Sequence, residues 1–214
     1  MKKLILLSVL TAIITLSSCK KEESPVITET PSGEEIIEIS TNFGSMYMWL
    51  YKSTPKHREN FLKLAKESYF DSTTFHRIIR NFVIQGGDPN SKDSIKTNDG
   101  NGGPDYTIPL ELHDSIKHIR GAVGAAREGD DVNPSKASNG SQFYICMSAT
   151  QTQHLNNNYT VFGFIMKGMD VADKIVVQSK DANNRPINDI KMSVKVLRKT
   201  LEEIKTEYNY EPKF

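Results

Sequence analysis

Cysteine is nearly absent. Of 214 residues only Cys19 and Cys146 are cysteines, one pair at most, so a framework of several disulfides is excluded. Basic runs are missing too. Lys and Arg total 27 against 26 acidic residues, a formal charge of +1, and no Lys/Arg block suggests a nucleic-acid surface. Metal-ligand spacing is lacking, because His76, His113 and His154 follow no ligand pattern. The acidic stretch Arg127 to Ser138 does not have the spacing of a calcium loop. Gly100-Asn101-Gly102-Gly103 lacks the strand-before, helix-after setting and the Gly-Lys-Ser/Thr ending of a phosphate cradle. No nucleophile sits beside a base, which argues against a hydrolase, and Cys146 reads as a buried, inert thiol. No long alternation of strand and helix patterns occurs, which excludes a doubly wound sheet.

What is present is ordinary globular material, 37% hydrophobic and 25% charged, enough for one main domain with a sizeable core. Residues 1–18 stand apart from it. Lys2 and Lys3 precede an apolar run from Leu4 to Leu16 that is short for a membrane span. Leu16-Ser17-Ser18-Cys19 then resembles a bacterial lipobox, which implies lipidation of Cys19. Residues 19–33 read as the lipidated cysteine and a flexible, charged, Ser/Thr/Pro-rich tether.

From residue 34 the pattern turns β-like. Glu34–Ser40 and Ser45–Tyr51 alternate around the turn Asn42-Phe43-Gly44 and predict a hairpin. Thr54-Pro55 opens a helix reaching toward Tyr69. Further strands are expected over Thr107–Leu112, Ile119–Ala126, Phe143–Met147, Thr160–Met166 and Ile190–Leu197, with a short helix from Met169 to Val177. Arg127 to Ser138 is an insertion at the rim, and residues 200–214 form a polar tail. The central stretch is Phe75-His76-Arg77-Ile78-Ile79-Arg80-Asn81-Phe82-Val83-Ile84-Gln85-Gly86-Gly87-Asp88. It reads as a strand pair that presents Arg77, Gln85 and Phe82 on one concave face, ended by a glycine turn.

This stretch resembles the signature of the cyclophilin-type peptidyl-prolyl isomerases. Asn139-Gly140-Ser141-Gln142-Phe143-Tyr144-Ile145-Cys146 and Val161-Phe162-Gly163 are similar to two further family blocks in the same order. The resemblance covers residues 34–199 and implies a mainly β fold, a closed eight-stranded antiparallel barrel capped by two α-helices. It implies rotation about Xaa-Pro bonds with Arg77 and Gln85 as catalytic residues and no cofactor or metal. It places Phe82, Val83, Tyr144 and Leu155 around the proline ring, and Ala126, Arg127 and Gln142 along the peptide. Tyr144 stands where phenylalanine is commoner and is expected to add a hydroxyl at the pocket's edge. Arg127 stands where asparagine is usual, Tyr159 where histidine is common, and His154 where eukaryotic members carry the tryptophan that grips cyclosporin.

The expected partners are proline-containing polypeptides and, through Cys19, a membrane. No nucleic acid is expected, and the chain is expected to be a monomer. The implied location is a lipoprotein of the bacterial cell envelope facing the periplasm or the cell surface, assisting folding of extracytoplasmic proteins. The competing reading is a non-catalytic proline-peptide-binding or chaperone module on the same fold. The retained Arg77, Phe82, Gln85 and Gln142 favour the enzyme.

Overall fold

The computed structural model describes residues 33–213. The leader 1–18, Cys19 and most of the tether lie outside the described residues. In chain order the elements are β1 (Glu34–Thr41), β2 (Gly44–Leu50), α1 (Pro55–Lys66), β3 (Arg77–Ile79), β4 (Val83–Gly86), β5 (Thr107–Ile108) and β6 (Ala122–Ala125). They continue with β7 (Ser138–Asn139), β8 (Phe143–Cys146), β9 (Val161–Lys167), α2 (Met169–Val176), β10 (Met192–Lys199) and α3 (Leu201–Tyr208).

Eight of the strands form one sheet in the order β10-β1-β2-β9-β6-β8-β4-β3, and β5 pairs with β7 separately. Every ladder is antiparallel. The expected closed barrel is corrected to an open, curled sheet, because β10 and β3 end it without pairing to each other. β3 is only three residues long and turns away at Asn81, whose φ is +59°. The seam is held instead by the segment before it, through the bridge Thr74↔Lys191 and the bonds Met192 N–H to Thr73 O and Phe75 N–H to Ile190 O. The outer edge of β3 is covered by a loop: Ile78 N–H donates to Asn184 O, and Lys180 Nζ donates to Ile78 O. Covering an edge in this way denies it to another chain.

Period-two alternation divides the apolar residues between the two faces of the sheet. Ile37, Ile39, Met48, Leu50, Ile84, Val123 and Ile145 share one cluster with Phe61, Leu62 and Leu64 of α1 and Val171, Ala172 and Ile175 of α2. Ile36, Trp49, Val83, Ala122, Tyr144 and Cys146 join Leu155 and, from α3, Ile204 and Tyr208 in the other. One face thus carries α1 and α2, and the opposite face carries α3 and the aromatic residues singled out by sequence.

Helix α3 corrects the reading of residues 200–214 as a polar tail and raises the helix count from two to three. Its start is a capping box: Glu203 N–H donates to Thr200 Oγ1 at 3.2 Å and Thr200 N–H to Glu203 Oε2 at 2.7 Å. Beyond it Tyr210 stacks on Phe164, with ring centres 5.8 Å apart, and lies near Trp49.

The expected strand Thr107–Leu112 survives only as Thr107–Ile108, because Glu111 is engaged elsewhere. Its carboxylate caps α1, accepting from Lys56 N–H at 3.1 Å and His57 N–H at 3.0 Å. No side chain of the neighbouring Thr54 does so. The same carboxylate accepts from His57 Nδ1 at 2.6 Å, while His57 Nε2 meets Ser138 Oγ at 2.9 Å. Desolvation lowers the His57 pKa despite the pull of Glu111, so the pair is a hydrogen bond of a neutral ring rather than an ion pair.

Candidate active site

Arg77 opens β3 directly across from Gln85 on β4, and Gln85 lies across from Tyr144 on β8. This register brings the three positions to one face. Arg77 Nη1 donates to Gln85 Oε1 at 3.2 Å, and Gln85 Nε2 donates to Gln142 Oε1 at 3.0 Å. Gln142 Nε2 then donates to Gly100 O at 2.9 Å and Gly102 O at 2.7 Å. The three side chains and the two carbonyls form one directed chain, which fixes both amides and holds the guanidinium by an acceptor behind it. Arg77 also lies over the Phe82 ring, 5.8 Å from its centre. Burial lowers its pKa from the usual arginine range, with Tyr159 acting in the other direction, and a guanidinium keeps its proton regardless.

Beside Arg77 opens a cavity of about 290 Å³ lined by Arg77, Phe82, Val83, Gln85, Ala126, Arg127, Tyr144, His154, Leu155 and Tyr159. Gln142 does not line it and stands behind Gln85 instead. The structure therefore gathers every predicted site residue of the domain, whereas Cys19 lies outside the described residues. A wider cleft of about 620 Å³ runs between Ser40–Asn42 and Asp189–Ser193, but no aromatic side chain lines it.

His154 stacks on Phe82 at 5.6 Å and so covers the aromatic floor of the cavity. Tyr144 departs from expectation. Its hydroxyl does not reach the pocket edge but bonds His118 Nε2 at 2.8 Å. His118 Nδ1 meets Asn156 Oδ1 at 2.9 Å, an acceptor, so the ring donates there and accepts the Tyr144 proton at Nε2. A Cβ at residue 124 would overlap the Tyr144 ring, so Gly124 is what lets the ring lie flat. Desolvation pushes the His118 pKa down to about 4 and lifts the Tyr144 hydroxyl well above its ordinary value. Cys146, behind the same wall, is pushed up to about 12 by burial, which accords with an inert thiol.

The model of the family described as cyclophilin type peptidyl-prolyl cis-trans isomerase/CLD matches residues 36–196. The chain belongs to the cyclophilin-type isomerase family. It is similar to the human peptidyl-prolyl cis-trans isomerase-like 1, 33% identical over 161 residues that make up 73% of this chain and 88% of that protein. It is 38% identical over 168 residues to the Arabidopsis thaliana peptidyl-prolyl cis-trans isomerase CYP71, matching 76% of this chain but only 24% of that longer relative. A crystal structure of a Cryptosporidium parvum cyclophilin-type isomerase superposes with a TM-score of 0.67 at 29% identity, covering 77% of this chain and 98% of that one. The same protein in the presence of the dipeptide Ala-Pro gives 0.66.

Three supports of this cyclophilin pocket escaped the sequence. One is the His118–Tyr144 bond. The second is Asp88, which closes the signature and looked like turn punctuation. It is fully buried, and its carboxylate accepts from the backbone N–H groups of Asn90 at 2.8 Å, Gly102 at 3.3 Å and Gly100. It thereby holds the loop whose carbonyls orient Gln142. The third is Arg185, which pins that loop from outside through Asp99 Oδ2 at 3.2 Å and the carbonyl oxygens of Lys96 and Asp99. The adjacent glycine pair Gly86-Gly87 was the one local signal for Asp88. Nothing local marked the other two.

Proposed function

We propose that this chain catalyses rotation about Xaa-Pro peptide bonds. The observation that carries the reading is Arg77, held by Gln85 on the wall of a cavity floored by Phe82, Val83, Tyr144 and Leu155, with its guanidinium over the Phe82 ring. Rotation faces a barrier of roughly 18–20 kcal/mol because the prolyl nitrogen lone pair is delocalised into the carbonyl. With the ring seated among Phe82, Val83, Tyr144 and Leu155, the guanidinium donates to the prolyl nitrogen as the bond twists. The lone pair is then localised, and the twisted state is favoured over both planar ones. No bond breaks and no proton moves, so neither a nucleophile nor a cofactor has a role. The test is a protease-coupled isomerisation assay on a proline tetrapeptide. Acceleration above the uncatalysed rate supports the reading, and its absence in folded protein refutes it.

The sequence supports a location as well. We propose that Cys19 carries a diacylglyceryl anchor in a bacterial envelope and that the tether lets the domain reach folding polypeptides outside the cytoplasm. Two acyl chains anchor stably where one does not, and a coil of the fourteen residues Lys20 to Gly33 would reach about 20 Å. The native chain should partition into detergent, and Cys19→Ala should accumulate as unprocessed precursor. Normal processing and release of Cys19→Ala would make the leader an ordinary secretory signal.

A further inference from the structure

Arg127 occupies the pocket wall, yet its charge is spent inside the chain. Its side chain is only 4% exposed, with Nη1 2.7 Å from Asp130 Oδ1. Nε donates to Asn158 O at 2.9 Å and Nη1 to Glu128 O at 2.7 Å. The guanidinium carbon lies 4.4 Å from the centre of the Tyr159 ring. Asn158 is gripped a second time, by Lys136 Nζ at 2.7 Å from its Oδ1. Two cations of the 127–138 insertion therefore hold one end of the 148–159 loop. Tyr159 in turn sets its edge against Tyr144, with centres 6.1 Å apart and planes at 80°, and Tyr144 is tied by its hydroxyl to His118.

We propose that Arg127 is a positioning residue for the isomerisation: it locks the insertion onto Tyr159, and through Tyr159 sets the Tyr144 wall of the proline pocket. A desolvated cation must be paired to be tolerated, and only a planar guanidinium can serve two carbonyls and a carboxylate while stacking on a ring. A lysine could not reach all of these. The insertion is in this way part of the pocket rather than a loop beside it. Because its guanidinium is engaged by Asp130, Asn158, Glu128 and Tyr159, Arg127 acts through the wall it sets, which contacts planar and twisted prolines alike. Its loss should weaken binding and leave the rotation step nearly intact.

The inference rests on the isomerase reading, and the experiment separates the two. The dissociation constant of a proline tetrapeptide is measured by titration beside kcat and KM, for the native chain, Arg127→Ala, Arg127→Lys and the double variant Asp130→Ala/Lys136→Met. The Asp130 and Lys136 changes sit in the exposed insertion and keep the test open if Arg127→Ala does not fold. Arg127→Ala should raise Kd and KM about fivefold, as expected for losing one desolvated cation–π contact with its hydrogen bonds. Its kcat should stay within about twofold, Arg127→Lys should recover only part of the loss, and the double variant should shift in the same direction. Amide exchange in residues 150–159 should quicken in Arg127→Ala although the substitution lies outside that loop. Unchanged Kd in folded variants, or a fall in kcat at constant Kd, would overturn the proposal. A native chain that binds the peptide without turning it over would refute the isomerase reading while leaving the clamp to be judged by Kd and exchange.

Discussion

Arg77, Gln85 and Gln142 act as one group. Their types and spacing were legible in sequence because Arg77 and Gln85 interrupt otherwise apolar strands and Gln142 directly precedes the apolar strand Phe143–Cys146. Their mutual bonding was not, because it depends on the register that sets Arg77 against Gln85 and Gln85 against Tyr144. The direction of the Tyr144 hydroxyl was likewise hidden, since its partner His118 lies 26 residues away. That bond has a consequence for pH. Desolvation pushes both His118 and, against the pull of Asp88, His76 down to about 4, whereas an unfolded histidine titrates near 6.5. The unfolded chain thus binds more protons between these values, so stability is complete above about pH 6.5 and is lost as pH falls toward 4. Each ring contributes on the order of 3 kcal/mol to this loss, a large share of a domain's total. Denaturant midpoints at pH 7, 5.5 and 4.5 should fall steeply, and His118→Gln should reduce the slope. A midpoint that is flat over this range would contradict the neutral His118 acceptor.

At the scale of elements, strands and the two inner helices followed from periodicity, but their ends did not: Ile119–Ala126 shortens to Ala122–Ala125 and Ile190–Leu197 moves to Met192–Lys199, and a distant residue can move an end as well. Glu111 shows how. A carboxylate 55 residues from Lys56 caps α1, and the strand expected around it shortens. Helix α3 was missed for a different reason. Thr200-Leu201-Glu202-Glu203 carries a capping-box signature, but the polar surface of the segment outweighed it, with only Ile204 and Tyr208 of the helix buried. Those two residues and Tyr210 cover Trp49, Tyr51 and Phe164. A chain ending at Lys199 should therefore lose about 3–6 kcal/mol, since burying each of Ile204 and Tyr208 is worth roughly 1.5–3 kcal/mol. Because Trp49 is the sole tryptophan, its emission should shift to the red in the shortened chain. Unchanged emission and stability would mean that α3 does not seal this face.

For the whole molecule, both faces of one curled sheet are used. α1 and α2 fill the first, and the pocket and α3 share the second. The sequence indicated a barrel, but closure is a matter of pairing between the first and last strands, and no local pattern encodes it. Here β3 is too short to meet β10, and residues 73–75 bridge the seam instead. This frame explains how a chemically quiet set of residues could catalyse a reaction: the sheet holds a guanidinium rigidly beside an apolar cavity, and rotation requires little else. The most direct test is the turnover of Arg77→Ala on a proline tetrapeptide, with Trp49 emission confirming the fold. Turnover should fall about a hundredfold or more, with Arg77→Lys recovering only part because a point charge lacks the planar fork. Native turnover in well-folded Arg77→Ala would contradict this mechanism.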